Sequence, residues 1–373
     1  MITASPPPPA IEQPAPYQLS YGLVSGIAAA GARRVIVRVG RRTLADLPLR
    51  QRHFQLRVTL PTTEISVQVV TVDDTGRRSR TAIDHVFGAP GAAAPRERRP
   101  HSDPYLARDV RRLVDRFGST SAVYVENLTS GAGAAWNARA AFPAASTLKL
   151  AVAVTALSQA GGPPAPGTTL DRLLRRMLIY SDNESANSTE AYVGGSTLGG
   201  SSLVNAMMRS LGLDDSDMYG GYEPDELGET QRFLEGSIPL TVVSQPIWGR
   251  GKRTSACDLA SLLRAVWLAT AGRGRLPVAQ PGFTQADARY LLYLLANVHD
   301  HGKIDRFVGR LPGVQVLHKA GWISTSRHDN GIVLWPGGAL LVTVMTFRSA
   351  GAGIASDVLA GDVAATALRR YRG

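Results

Sequence analysis

The spacing of apolar residues changes once along this chain, and that change restricts the fold more than any other feature. Between residues 33 and 87 the runs RRVIVRVG, HFQLRVTL, EISVQVVTV and TAIDHVF alternate apolar and polar side chains with a period of two. Such alternation sends successive side chains to opposite faces of a strand, and signals such as DDTG mark the turns between them. Several strands in so short a span, with no helical stretch, predict a small all-β sandwich of the immunoglobulin-like kind over residues 17–88.

Beyond residue 104 the period becomes that of a helix. DPYLARDVRRLVDRFG is amphipathic, and STLKLAVAVTALSQAGG is apolar on most faces, which predicts a buried helix ending at Gly161 and Gly162. TTLDRLLRRMLIYSDN and TSACDLASLLRAVWLAT read as further helices. SAVYVENL reads as a strand, as do VQVLHKAGW, DNGIVLWPG and ALLVTVMTF near the end, before a last helix in ASDVLAGDVAATALRRYR. Strands at both ends with helices between them predict an α+β domain over residues 104–373, with one antiparallel sheet flanked by helices. The Pro/Gly-rich stretch over residues 89–103 reads as a linker, and the Pro/Ala-rich residues 1–16 as a disordered arm.

Composition removes several classes of function. No run of 18 apolar residues occurs, so no membrane span is expected. The opening MITASPPPPAIEQPAP has no apolar core of a secretory signal. A single cysteine, Cys257, allows neither an internal disulfide framework nor a cysteine metal cluster, and its amphipathic setting predicts a buried thiol. The net charge of +11 comes without zinc-finger spacing or an aromatic RNA-binding motif. No nucleic-acid partner is expected, and weak attraction to an anionic surface such as cell-wall polymer accounts for that charge as well.

The kind of positive charge says more than its amount. Of 41 basic residues only Lys149, Lys252, Lys303 and Lys319 are lysine. A guanidinium stays protonated, whereas an amine can lose its proton when buried or set beside another cation. Lys149 follows Ser146 by three residues in FPAASTLKLAVAV. This is either an ordinary helix start capped by Ser146, or a nucleophilic serine with a base on the same helix face. A helix amino terminus would add positive potential and amide donors for an oxyanion.

Three groups then follow in order: Ser146-x-x-Lys149 on a helix, Ser181-Asp182-Asn183 in a turn, and Lys319-Ala320-Gly321 on a strand. Together they resemble the penicillin-recognising serine enzymes, above all class A β-lactamases and their penicillin-binding relatives, over roughly residues 103–373. The resemblance implies a β-lactamase/transpeptidase-like fold with Ser146 as nucleophile, Lys149 as its base and Ser181 as a proton relay. It implies that Asn183 holds the substrate's amide side chain and Lys319 its carboxylate. The amides of Ser146 and of Trp322, next to Gly321, would form the oxyanion hole. The likeness continues through SDNESAN to Asn187, implying an anchor for the loop that carries a deacylating glutamate, and Glu223 in YEPDEL holds the matching place. No metal or organic cofactor is expected. The implied partner is a small β-lactam or peptidoglycan-derived substrate, and the implied location is secreted, periplasmic or cell-wall associated. The amino-terminal unit would then be a spacer or a cell-wall contact.

The chain also departs from that pattern. Ala320 stands where the family has Thr or Ser, Leu227 where class A enzymes have an asparagine, and the segment 228–253 is longer than the usual loop. A D-Ala-D-Ala carboxypeptidase or transpeptidase, an esterase, or a cell-wall binding or sensor protein without turnover therefore stay open. VHDHG places His299 and His301 beside Asp300 without further spaced ligands and reads as a loop. RHDNG could belong to a Ser-His-Asp triad, but Lys149 already fills the base role. His318 reads as a packed strand residue.

Overall fold

Alternating β-branched residues do form strands in the first part of the chain. The structure, a computed structural model, describes residues 6–218, 237–249 and 251–372. Its contacts divide into two compact units, Met1–Ala94 and Pro95–Gly373. The first unit holds β1 (Ala10–Gln13), β2 (Gln18–Ser20), β3 (Leu23–Ile27), β4 (Ala32–Val39), β5 (Arg42–Pro48), β6 (His53–Arg57), β7 (Glu64–Asp73) and β8 (Arg78–Gly88). They make a three-stranded sheet, β1-β3-β6, and a five-stranded sheet, β2-β8-β7-β4-β5. Val24 and Phe54 of the smaller sheet share a buried cluster with Val35, Val37, Val67 and Val69 of the larger one. The in-facing set of the alternation is thus the core between two layers. The DDTG turn joins β7 to β8, with Gly76 at φ +80°.

Two expectations about the flanks are corrected. Residues 10–13 belong to no disordered arm: they form β1, antiparallel to β3. The first run of prolines ends at Pro9, whose carbonyl accepts from Thr81 Oγ1 at 2.6 Å, and the next is Pro14, so Ala10–Gln13 is free to pair. The expected linker is likewise part structure, because its end forms β9 (His101–Ser102), parallel to β11 (Ala132–Trp136) of the second unit.

The second unit continues with α1 (Pro104–Phe117), β10 (Thr120–Asn127), β12 (Phe142–Pro143), α2 (Lys149–Ala160), α3 (Thr169–Ile179), α4 (Asn183–Gly194) and α5 (Thr197–Ser210). After these come β13 (Arg253–Thr254), α6 (Ala256–Ala269), α7 (Leu276–Ala279), α8 (Gln285–Ala296), β14 (Gln315–Ile323), β15 (Ser326–Trp335), β16 (Gly338–Phe347) and α9 (Ile354–Arg372). The main sheet runs β14-β15-β16-β10-β11-β9. Its central pairing, β10 against β16 from Thr120–Phe347 to Asn127–Leu340, joins the two ends of the domain as the sequence predicts.

On one face α1 and α9 bury Leu106, Val110, Val363 and Ala367 against Val123, Val125 and Val342 of the sheet. Asp103 caps α1 by accepting from the amides of Tyr105 and Leu106, and also receives Arg370 from the end of α9. α6 contacts β10, β15 and β16 and is buried at every position, including Cys257. α2 is buried from Lys149 to Leu157, packs among α3, α4 and α5, and ends on Gly161 in the left-handed region at φ +69°. Among the described residues no helix is long and apolar enough to cross a membrane.

Candidate active site

Ser146 sits in a single 3₁₀ turn, Ala145–Leu148, wedged between β12 and the start of α2. It caps no helix, since the turn has no side-chain cap. Ala145 opens the turn at φ +48°, a conformation that a residue with a Cβ adopts at a cost of about 1 kcal/mol or more. The turn is anchored by Ala144 N donating to Lys252 O at 2.8 Å and by Thr147 Oγ1 donating to Ala144 O at 2.6 Å. β14 runs directly against it: a Cβ at Gly321 would lie 2.7 Å from Ser146 N and 2.8 Å from Thr147 N. Only glycine fits there, and its absence of side chain lets the strand edge approach the backbone of Ser146.

Lys149 is 7% exposed. Its Nζ donates to Ser181 O at 2.5 Å and Asn183 Oδ1 at 2.6 Å, and lies 3.4 Å from Ser181 Oγ. The expected bond from Lys149 to Ser146 Oγ is not among its contacts. Protonated, the amine only donates, and two amide oxygens outcompete a hydroxyl for it. Lys319, 1% exposed, approaches from β14 and donates to Ser181 Oγ at 2.9 Å and Ala320 O at 2.7 Å. Two amines therefore converge on one hydroxyl. Ser181 presents it from φ +58°, at the mouth of α4, whose cap is the Asp182 carboxylate accepting from Ser185 N.

Burial governs both amines. Desolvation, then the charge of Lys252, bring Lys149 down to about 8 against the pull of Asp182. Desolvation, then the charge of Lys149, bring Lys319 down to about 7 against Asp300 and Asp329. Each can exchange a proton near neutrality, which arginine cannot do.

Ser146, Lys149, Asn183 and Asn187 line a cleft of about 680 Å³, with Lys252 and the 61% exposed Trp322 on its walls. Asn183 and Asn187 share a face of α4, one turn apart. Ser181 and Lys319 are not among the residues lining this cleft. Glu223 and Leu227 lie outside the described residues. The triad through His328 is not formed: one ring nitrogen meets Pro143 O at 2.7 Å, and the other accepts from Thr346 N at 3.2 Å. Burial holds that imidazole neutral, at about 4.

The sequence reading did not single out two residues of this cleft. Lys252 arrives through the β12–β13 pairing, Pro143 opposite Arg253. Its signal was the scarcity of lysine. Glu190, buried and accepting from Ser201 Oγ at 2.7 Å, follows Asn183 by seven residues on α4. That helical spacing was visible but unused.

The profile of the family described as the β-lactamase enzyme family matches residues 105–162 and 161–371. The chain belongs to that family. Among solved structures it is similar to a β-lactamase from Sphaerobacter thermophilus DSM 20745, at 20% identity and a TM-score of 0.52 over 72% of this chain and 97% of that one. It is similar too to PBP-A, at 19% identity and a TM-score of 0.55 over 74% and 98%. A PBP-A mutant solved as its acyl-enzyme complex with penicillin G shares 19% identity and a TM-score of 0.54 over 74% and 99%. At these identities the likeness establishes the α+β fold. No curated protein matches the chain in sequence.

Proposed function

We propose that the second unit is a serine hydrolase of the β-lactamase type, acylated at Ser146 by a lactam or amide carbonyl and deacylated by water. The convergence of Lys149, which lines the cleft with Ser146, and of Lys319 on the Ser181 hydroxyl carries this reading. Ser146 Oγ attacks the carbonyl carbon while neutral Lys149 takes its proton. The amides of Ser146 and Trp322 meet the oxyanion, with Gly321 allowing the approach. The C–N bond breaks as Ser181 hands its proton to the leaving nitrogen and is resupplied by the protonated amine beside it. Asn183 holds the substrate's amide side chain, and charged Lys319 its carboxylate. Asn187 supports the loop of Glu223, which removes a proton from the water that cleaves the acyl ester.

Ala320 favours a second reading on the same machinery. It is fully buried and gives Lys319 only its carbonyl, so no hydroxyl stands there for a substrate carboxylate. That suits a D-Ala-D-Ala carboxypeptidase or transpeptidase, or an esterase, better than an enzyme tuned to ordinary penicillins. A cell-wall binding or sensor protein without turnover is the remaining alternative. The first unit, with two sheets around one core, we read as an immunoglobulin-like module for cell-wall contact in a secreted, periplasmic or wall-associated protein, in keeping with the net charge of +11.

Steady-state hydrolysis of nitrocefin and of a depsipeptide ester tests the reading. Ser146→Ala should lower the rate on either substrate by at least about 10³-fold. Hydrolysis at the wild-type rate in that variant would refute it. A long-lived penicillin adduct would move the assignment to the peptidase or sensor.

A further inference from the structure

The fold brings together three side chains that the sequence keeps apart and that the acylation machinery does not use. His301 precedes the short 3₁₀ turn Ile304–Arg306 that contains Asp305, and His318 lies within β14, immediately before Lys319. Strand alternation puts His318 on the opposite side of the sheet from Lys319. The metal-binding nitrogens and oxygen of His301, Asp305 and His318 all lie within 4.8 Å of one another.

We propose that these three residues bind a first-row divalent cation, zinc above all. His318 is 1% exposed and its Nδ1 faces both oxygens of Asp329 at 2.9 Å. Its Nε2 is buried with no hydrogen-bond partner. A buried imidazole held through one nitrogen by a carboxylate, with the other left unused, is the arrangement that orients a histidine towards a metal. Asp329 is itself fixed by Ile304 N at 3.1 Å. Asp305 is oriented in the same way: its Oδ1 accepts from Gly302 N at 2.7 Å and Lys303 N at 2.9 Å, while its Oδ2 lies 3.0 Å from His301 Nδ1.

The donor set selects the cation. Two imidazoles and one carboxylate suit zinc and its first-row neighbours, whereas calcium and magnesium take oxygen. Bonds of about 2.0 Å in a tetrahedron put ligand atoms about 3.3 Å apart, so the widest pair must close by no more than about 1.5 Å. The His301 side chain, 68% exposed, is free to make that movement. The nearby cations are engaged elsewhere: Lys303 Nζ with Asp300, and Arg306 Nη1 with Gly302 O at 3.2 Å. His301 and Asp305 also line a groove of about 660 Å³, which leaves the fourth position to solvent or to a group entering the groove.

The site stands independently of acylation at Ser146. The full chain, stripped with chelator and carrying no affinity tag, is titrated with Co²⁺ while its visible absorption is followed, and Zn²⁺ is then added in competition. The expected result is a saturable band at one equivalent, displaced by Zn²⁺, with affinity reduced at least about 10-fold in His301→Ala and again in Asp305→Asn. His301 is exposed, so its variant separates ligand loss from misfolding, which circular dichroism monitors in both. Absence of saturable uptake would overturn the proposal and leave a metal-free cluster of charged pairs. Uptake undiminished in both variants would overturn it as well, by placing the cation elsewhere.

Discussion

The chemistry rests on individual residues whose ordinary properties the fold has altered. Lys149 and Lys319 ionise at about 8 and about 7 because burial disfavours their charged forms, helped by the charge of Lys252 on Lys149 and of Lys149 on Lys319. The signs of the two effects on rate are opposite. In the proposed reaction Lys149 must be neutral to accept a proton, so acylation is expected to rise as pH climbs to about 8. In the same proposal Lys319 must be charged to hold a carboxylate, so binding is expected to weaken as pH passes about 7. In the free enzyme, kcat/KM for a carboxylate-bearing substrate should follow a bell centred near pH 7.5, about midway between them. A neutral ester should lose only the high-pH fall. Pre-steady-state acylation across about pH 5–10 (a range of roughly two units beyond each value) measures both curves. Gly321 makes a second prediction: in Gly321→Ala the added carbon meets the backbone of Ser146 and Thr147 and displaces the turn. Such a shift should lower kcat/KM about 10²-fold while circular dichroism stays unchanged.

Secondary-structure elements hold those residues through a few buried polar links. Arg264 of α6 donates to Glu126 of β10 at 3.2 Å, with the carboxylate wholly buried and Tyr124 OH also bonded to it. Desolvation pushes the Glu126 carboxyl up despite the opposing guanidinium. Arg264→Met would strand that carboxylate and should destabilise the second unit by about 3–5 kcal/mol, whereas adding Glu126→Gln should restore part of the loss. Urea unfolding of the single and double variants reads both numbers.

This scale also shows what could be read beforehand. α1, α2, α6, α9 and the three carboxy-terminal strands were legible because each carries its own period and its own stop, such as Gly161. β9, β12 and β13 have two residues each, too few for any period, and exist through their partners. β1 was hidden by the prolines before it, although pairing needs only the residues that follow them.

At the scale of the molecule, residues 146, 181 and 319 meet because strands from both ends of the domain close one sheet and the helices stack on it. The three motifs were legible in advance because each is a local pattern with its own chemistry. Lys252 was not, since only the β12–β13 pairing brings it to the cleft, and although His301 and Asp305 are four residues apart, only the fold brings His318 to them. The two units keep separate cores, each built from its own alternation or helical stripe. In the proposed reaction Ser146 carries the acyl group, and peptide mapping by mass spectrometry during incubation with a penicillin and with a depsipeptide ester locates it. The expected result is a mass gain of the acyl portion on the peptide containing Ser146, absent in Ser146→Ala. An adduct mapped to another residue, or substrate turnover with no involvement of Ser146, would contradict it.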